Sequence, residues 1–288
     1  MIDPPPKATN AQGELRSTDN GPESWRSHHG GRIDQLIHTA ALAGKQTLKY
    51  FNNCALGVET KADHSPVTAA DREAESLIRD RFGEMYPDDS ILGEEHPDKT
   101  AGGDYTWIID PIDGTRSFIC GVPLYSTLLA LEHQGEPLAG IIVLPALSVM
   151  VVALRDHGAY YRGDTQGWSA ARVSETTQLQ NAVYVTSQVD LFDADDRRSV
   201  HHRMESRCDI TRTWGDGYGY AMVATGRADV ILDAQCQVWD VAPMATILSE
   251  AGGQFTDWTG ESTVRGGTGL GSNGHLHDAS MKVIRGED

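Results

Sequence analysis

No stretch of this 288-residue chain approaches the ~20 consecutive apolar residues that a membrane-crossing helix requires, so the sequence predicts no membrane span and no membrane partner. Basic residues are also scarce. Lys and Arg together number 24 against 41 Asp and Glu, for a formal net charge of −17. That balance excludes sequence-independent binding to nucleic acid, which depends on cations at phosphates. The four cysteines, Cys54, Cys120, Cys208 and Cys236, include no CxxC pair and no zinc-ligand spacing. They suit small apolar side chains in a reducing, cytoplasmic setting. The first 30 residues lack any apolar run and are rich in Pro, Asn, Ser and Gly, which predicts a disordered tail. They also lack the basic and apolar regions of a secretory signal. His28 and His29 fall in this tail, where a flexible segment is a better reading than a metal site.

Order is expected to begin near Ile33. Ile33, Leu36, Ile37, Ala40, Ala41, Leu48 and Phe51 recur at helical spacing. A second helix is predicted after "SPVT", with Thr68 as N-cap and Asp71 three positions later as in a capping box. The middle of the chain turns to strands. "TWIID", "STLLALEH", "LAGIIVL" and "VMVVALR" stand close together, as in an antiparallel meander. From Asn181 onward, strands such as "VYVTS", "ADVILD" and "GQFTDW" alternate with the helical stretches "GYGYAMVATG" and "WDVAPMATILSEAGG". In the second of these, Pro243 is expected in the first turn and Gly252 at the stop. No internal repeat is present. The order implies a layered α/β arrangement of helices and sheets in the α+β manner. An antiparallel half would occupy about 31–180 and an α/β half about 181–288 of one domain.

One stretch is chemically odd. In "WIIDPIDGTRSF", Trp107–Phe118, a buried strand ends on two aspartates. Buried carboxylates are costly unless something positive meets them. In an extended segment Asp110 and Asp113 point to opposite sides. A turn in which Pro111 stops the ladder and Gly114 permits tight geometry could return both to one point, leaving the Ile112 carbonyl as a further oxygen ligand. Oxygen-only ligation suits Mg2+. Glu94 and Glu95 follow another short apolar run in "ILGEEH", and Asp240 opens the "WDVAP" helix. Each motif alone has a plainer reading as a solvated acid or a helix-dipole partner.

Taken together, "GEE", then "DPIDGT" about 15 residues on, then "WDVAP" toward the C-terminus, resemble the signature of the inositol monophosphatase superfamily. "SPVTAADRE" upstream and "SNGHLHDA" near the end extend the resemblance over nearly all of the chain beyond the tail. It implies an αβαβα sandwich and a Mg2+-dependent, lithium-sensitive phosphomonoesterase with two or three ions per site. Glu94, Asp110 and the Ile112 carbonyl would hold one ion, and Asp110, Asp113 and Asp240 a second. Glu94 would reach a third through water. Thr115 and Asp71 would orient the attacking water and accept its proton, with Glu94 assisting. The backbone N–H groups of Gly114 and Thr115 would receive the phosphate, and Asp113 and Asp240 would also line the substrate site.

"DGTRSFICGVPLYSTLLAL" and "RTWGDGYGYAMVATGRADVILD" are most similar to the histidinol-phosphate phosphatase branch. That resemblance implies hydrolysis of L-histidinol phosphate in histidine biosynthesis. The alternative is an inositol-1-monophosphatase or a broader sugar-alcohol phosphatase. Asp233 and Asp216 would face the ammonium and imidazole of a cationic amino alcohol, although Asp216 is equally readable as the N-cap of the following helix. Arg212 is a further substrate candidate and is otherwise a surface residue. His275 and His277 read as structural. Members of the superfamily are commonly dimers, so a homodimer is expected.

Overall fold

A computed structural model describes residues 21–53, 58–60, 66–163, 167–193 and 197–287. Residues 1–20 of the expected tail, together with Cys54, lie outside them. The described residues include 21–30, which the sequence by itself assigns to the tail. Gly21–Trp25 and His28–Gly31 form two short 3-10 turns. Trp25 is only 1% exposed and packs edge-on against Tyr160 at 5.5 Å between ring centroids. His28 packs on His157, and His29 on Tyr105 and His133. One large aromatic residue thus anchors a segment whose average composition is polar, because a single buried Trp removes more apolar surface from water than several small residues.

Helix α1 (Arg32–Thr47) follows, then the short pair β1 (Val58–Thr60) and β2 (Pro66–Thr68), and helix α2 (Ala69–Met85). The capping box at Thr68 and Asp71 is present as expected. β3 (Ser90–Gly93) and β4 (Tyr105–Asp113) run parallel. After the one-turn helix α3 (Thr115–Ile119), an antiparallel meander continues from β4 through β5 (Ser126–His133), β6 (Glu136–Leu144), β7 (Val149–Leu154), β8 (Gly158–Arg162) and β9 (Ser169–Ala170). These strands form one seven-stranded sheet in sequence order.

The second sheet is built from β10 (Val183–Thr186), β11 (Ile210–Arg212), β12 (Val230–Asp233), β13 (Gln254–Thr256) and β14 (Gly269–Ser272), in the order β11-β10-β12-β14-β13. Its helices are α4 (Arg197–Glu205), α5 (Asp216–Ala224), α6 (Val238–Ala251) and α7 (His277–Arg285). Pro243 lies in the second turn of α6, one turn later than expected, because the helix starts at Val238.

The layers follow from which side chains each sheet face buries. Trp107, Ile109, Leu129 and Ile141 pack under Leu36, Ala40, Ile78 and Phe82 of α1 and α2. The opposite face, through Leu128, Ile142 and Val151, meets Tyr220, Met244 and Ile247 of α5 and α6, which also cover Val185 and Ile231 of the second sheet. Tyr184, Val230 and Leu232 on that sheet's outer face bury Val200, Met204, Met281 and Val283 of α4 and α7. The result is helix, sheet, helix, sheet, helix, the five layers that the sequence resemblance implied. Among the described residues no helix is long and apolar enough to cross a membrane, and Cys120, Cys208 and Cys236 are free thiols.

Candidate active site

The site forms at the C-terminal end of β4, and its geometry corrects one expectation. Pro111 does not stop the ladder. Asp110 pairs with Leu128 and Asp113 with Ser126, so three steps along β4 match two along β5. The extra residue is a bulge, where a proline inside a sheet is tolerated. Residues directly opposite in an antiparallel pair share a face, and Leu128 and Ser126 are two apart. The bulge therefore puts Asp110 and Asp113 on the same face, although they are three apart in sequence. Both are buried. Thr127 Oγ1 donates to the freed Pro111 carbonyl at 2.8 Å.

Asp113 Oδ2 accepts from Ser126 Oγ at 2.5 Å and from the Gly217 N–H at 2.6 Å. The latter bond ties β4 to the start of α5. Gly114 follows with φ +78°, a conformation that other residues rarely adopt, and opens α3. A Cβ there would sit 2.8 Å from Asp216 Oδ2, so the Asp216 carboxylate lies against the glycine turn. Thr115 Oγ1 donates to the Ile112 carbonyl at 3.1 Å.

Asp71 enters from α2. Its Oδ2 accepts from the Thr68 N–H at 2.8 Å and from Thr68 Oγ1 at 2.5 Å. Its Oδ1 is buried without a hydrogen-bond partner, and Asp110 Oδ1 is in the same condition. Glu94 stands just past β3, with its N–H bonded to the Ile109 carbonyl at 3.3 Å. Asp240 is the third residue of α6, and its Oδ2 accepts from the Gln237 N–H at 2.7 Å.

These carboxylates feel one another. Burial, and then the charges of Glu94, Asp113 and Asp240, hold Asp110 well above the usual carboxylate range. Burial and Asp216 do the same to Asp113. Asp71 and Asp216 are each pushed up to about 6, mainly by desolvation. Asp240 is pushed to about 7 by desolvation and by Glu94, Asp233 and Asp216. Like charges in a low-dielectric site disfavour ionisation in this way.

A cation would relieve that strain. The donors are oxygen alone, which matches a hard divalent ion, and Asp110 carries an orphaned buried oxygen. Among the described residues no three acidic, histidine or cysteine side chains are gathered closely enough to hold a metal by themselves. Backbone carbonyls and water would have to complete the coordination; the Ile112 carbonyl, which accepts from Thr115 Oγ1, is the backbone group expected for it from the sequence.

The remaining candidates divide. Asp216 does not cap its helix. Gly215 holds the cap position, and Asp216 is the first helical residue at φ +53°, its N–H bonded to Ser187 Oγ at 2.7 Å. Asp233 is buried with both oxygens engaged, by Ser187 Oγ and Tyr220 Oη at 2.7 Å each. Arg212 is exposed on the edge strand β11. Its Nη1 donates to the Thr211 carbonyl at 2.7 Å, and among the described residues it has no hydrogen bond to the cluster. His277 is buried, bonded to Thr256 Oγ1 at 3.1 Å and Ser272 Oγ at 2.9 Å, which fits a structural role. Ser126, Ser187 and Tyr220 support the acids and were not singled out from sequence. Only strand register and helix packing bring them there. A groove of about 560 Å³ between α1 and α2, lined by Leu42, Gln46, Arg72 and Arg81 among others, lies apart from this chemistry.

A five-layer sandwich with an acidic, oxygen-donor cluster beside a glycine turn is the frame of a metal-assisted phosphatase. The chain belongs to the inositol monophosphatase family, whose profile matches residues 32–286. It is 41% identical over 238 residues to a histidinol-phosphatase of Chlorobaculum parvum, covering 83% of this chain and 90% of that one. It is 35% identical over 248 residues to a histidinol-phosphatase of Mycobacterium tuberculosis, covering 85% and 95%. Among solved structures, an IMPase of Thermotoga maritima superposes with a TM-score of 0.78 at 32% identity, covering 88% of this chain and 97% of that one.

Proposed function

We propose that this chain is a Mg2+-dependent phosphomonoesterase that hydrolyses L-histidinol phosphate to L-histidinol and phosphate. The observation that carries the reading is an excess of carboxylate. Asp216 lies against the Gly114 turn in addition to the four acids assigned to metal. With a phosphate resting on that turn, we read Asp216 as the acid that would meet the alcohol the phosphate esterifies. A cationic amino alcohol suits that acid better than a neutral cyclitol does. The similarity to histidinol-phosphatases of two bacteria supports the same substrate.

Glu94, Asp110, Asp113 and Asp240, with the Ile112 carbonyl, would hold two or three Mg2+ ions. Bound Mg2+ would neutralise the developing charge and make water a better nucleophile at neutral pH. The rest falls to the chain. The backbone N–H groups of Gly114 and Thr115 bind the phosphoryl oxygens. Thr115 Oγ1 orients the attacking water. The unpartnered Asp71 Oδ1 takes the proton. The water oxygen bonds to phosphorus as the ester P–O bond breaks; the departing alkoxide takes its proton from solvent water, and Asp71 returns the proton it accepted to solvent. The enzyme would act as a homodimer in the cytoplasm.

A phosphate-release panel tests the reading. L-histidinol phosphate, inositol 1-phosphate and glycerol 2-phosphate are compared with Mg2+ and with EDTA. The expected result is Mg2+-dependent turnover with the highest kcat/KM on histidinol phosphate. Undiminished turnover in EDTA would overturn the metal assignment, and a preference for inositol 1-phosphate would overturn the substrate.

A further inference from the structure

Glu75 is an acid that the reaction does not use, and it is completely buried. It lies on α2, one helical turn beyond Asp71. A carboxylate in that position needs strong partners, and all of those found belong to the loop after β3 or to its own helix. Its oxygens accept from the backbone N–H of Glu95 at 2.8 Å and of His96 at 3.2 Å. Arg79, one turn further along α2, pairs with it at 2.6 Å. Arg79 then donates to the carbonyls of Pro97 and His96, each at 3.0 Å. The imidazole of His96 meets Ser76 Oγ at 3.1 Å. Helix α2 therefore grips both the N–H and C=O groups of the loop that follows Glu94.

The other side of the contact is just as tight. A Cβ on Gly93 would come within 2.3 Å of Glu75 Oε1 and 2.9 Å of Arg79 Nη2. Glycine in "GEE" is what lets the loop lie down on the Glu75 carboxylate. One helix thus carries Asp71, which feels the charge of Glu94, and sets Glu75 against the loop that follows Glu94. Asp71 and the loop that follows Glu94 are held by the same helix.

We propose that Glu75 is a positioning residue that holds Glu94 where it can share a cation with Asp110. This rests on the reading of Glu94 as a metal ligand given above. Groups that orient metal ligands through hydrogen bonds commonly change metal affinity by about 10- to 100-fold when removed. Glu75→Gln keeps the size of the side chain but removes the charge and replaces one acceptor with a donor. Gly93→Ala disturbs the same contact from the loop side and leaves Glu75 intact. Trp25→Ala serves as the comparison, since it weakens the fold far from this loop.

The test is Mg2+ titration of the full-length protein by calorimetry, with Tm of the metal-free protein and kcat at saturating Mg2+ measured alongside. Wild type should bind Mg2+. Glu75→Gln should bind it roughly tenfold or more weakly, with kcat at saturating Mg2+ within a few-fold of wild type. Gly93→Ala should follow the same pattern, and it decides the matter if Glu75→Gln does not fold. Trp25→Ala should lose Tm and keep its Mg2+ affinity. Unchanged affinity in the Glu75 and Gly93 variants, with only Tm reduced, would make Glu75 purely structural and overturn the proposal. A wild-type protein that binds no Mg2+ would instead overturn the underlying reading of the site.

Discussion

Replacing Asp240 by Asn should stabilise the metal-free protein while abolishing its activity. The Asp240 carboxyl is pushed to about 7, whereas in an unfolded chain it would ionise near 3.8. Between those values the folded protein holds the extra proton, so stability falls as pH rises through the window. A shift of about three units corresponds to a ceiling of ~4 kcal/mol at pH 8, because each unit is worth about 1.36 kcal/mol. At pH 5 less than about half of that penalty remains, and below about pH 4 it is gone. Asn removes the penalty. It can still accept from the Gln237 N–H, although losing the charge weakens that bond by ~1 kcal/mol. The net gain at pH 8 should be about 1–3 kcal/mol, or a few degrees of Tm in a chain of this size. Differential scanning calorimetry of both proteins in EDTA at pH 8 and pH 5 measures it. Saturating Mg2+ should reverse the order, since a ligand that binds only the folded state stabilises the wild type. An Asn variant no more stable than wild type at pH 8 in EDTA would refute the argument that the site is held under charge repulsion. A difference that does not shrink toward pH 5 would refute it equally.

Asp216→Asn should lower kcat/KM for histidinol phosphate about 10- to 100-fold, the worth of a charge-assisted hydrogen bond. It should change glycerol 2-phosphate turnover far less, and equal losses on both would show that the acid supports the metals or the fold. Asp233 should behave differently, because Ser187 and Tyr220 already occupy its oxygens. Asp233→Asn is expected to lower Tm and to affect both substrates alike, which steady-state kinetics on the pair will show. Trp25→Ala should cost about 3–5 kcal/mol, as for other large buried side chains. A chemical-denaturation midpoint unchanged by that substitution would mean that the segment 21–31 contributes nothing to the fold.

What local chemistry controls was legible in the sequence. The capping box at Thr68 and Asp71 depends on residues three apart, and it is present. The strands "STLLALEH" and "LAGIIVL" are apolar runs bounded by turn residues, and they are β5 and β6. The acids at 94, 110, 113 and 240 were identifiable as a set because their motifs occur together. Long-range contacts were not legible. Whether Asp110 and Asp113 face the same way depends on a bulge, and a bulge is a property of pairing with Leu128 and Ser126 rather than of β4 alone. Trp25 could not be read as buried, because its pocket is made by Tyr160 and His157, more than 130 positions away. Asp216 could be an N-cap or a site acid until α5 was seen to start at Asp216 with Gly215 as its cap, placing the carboxylate against Gly114. Nothing along the chain sets Glu75 apart, and only the packing of α2 on the loop from Glu94 to Pro97 shows what it grips. Period, caps and turns are set by neighbours along the chain, whereas register, burial and the approach of charges are set by parts of the chain that meet only after folding.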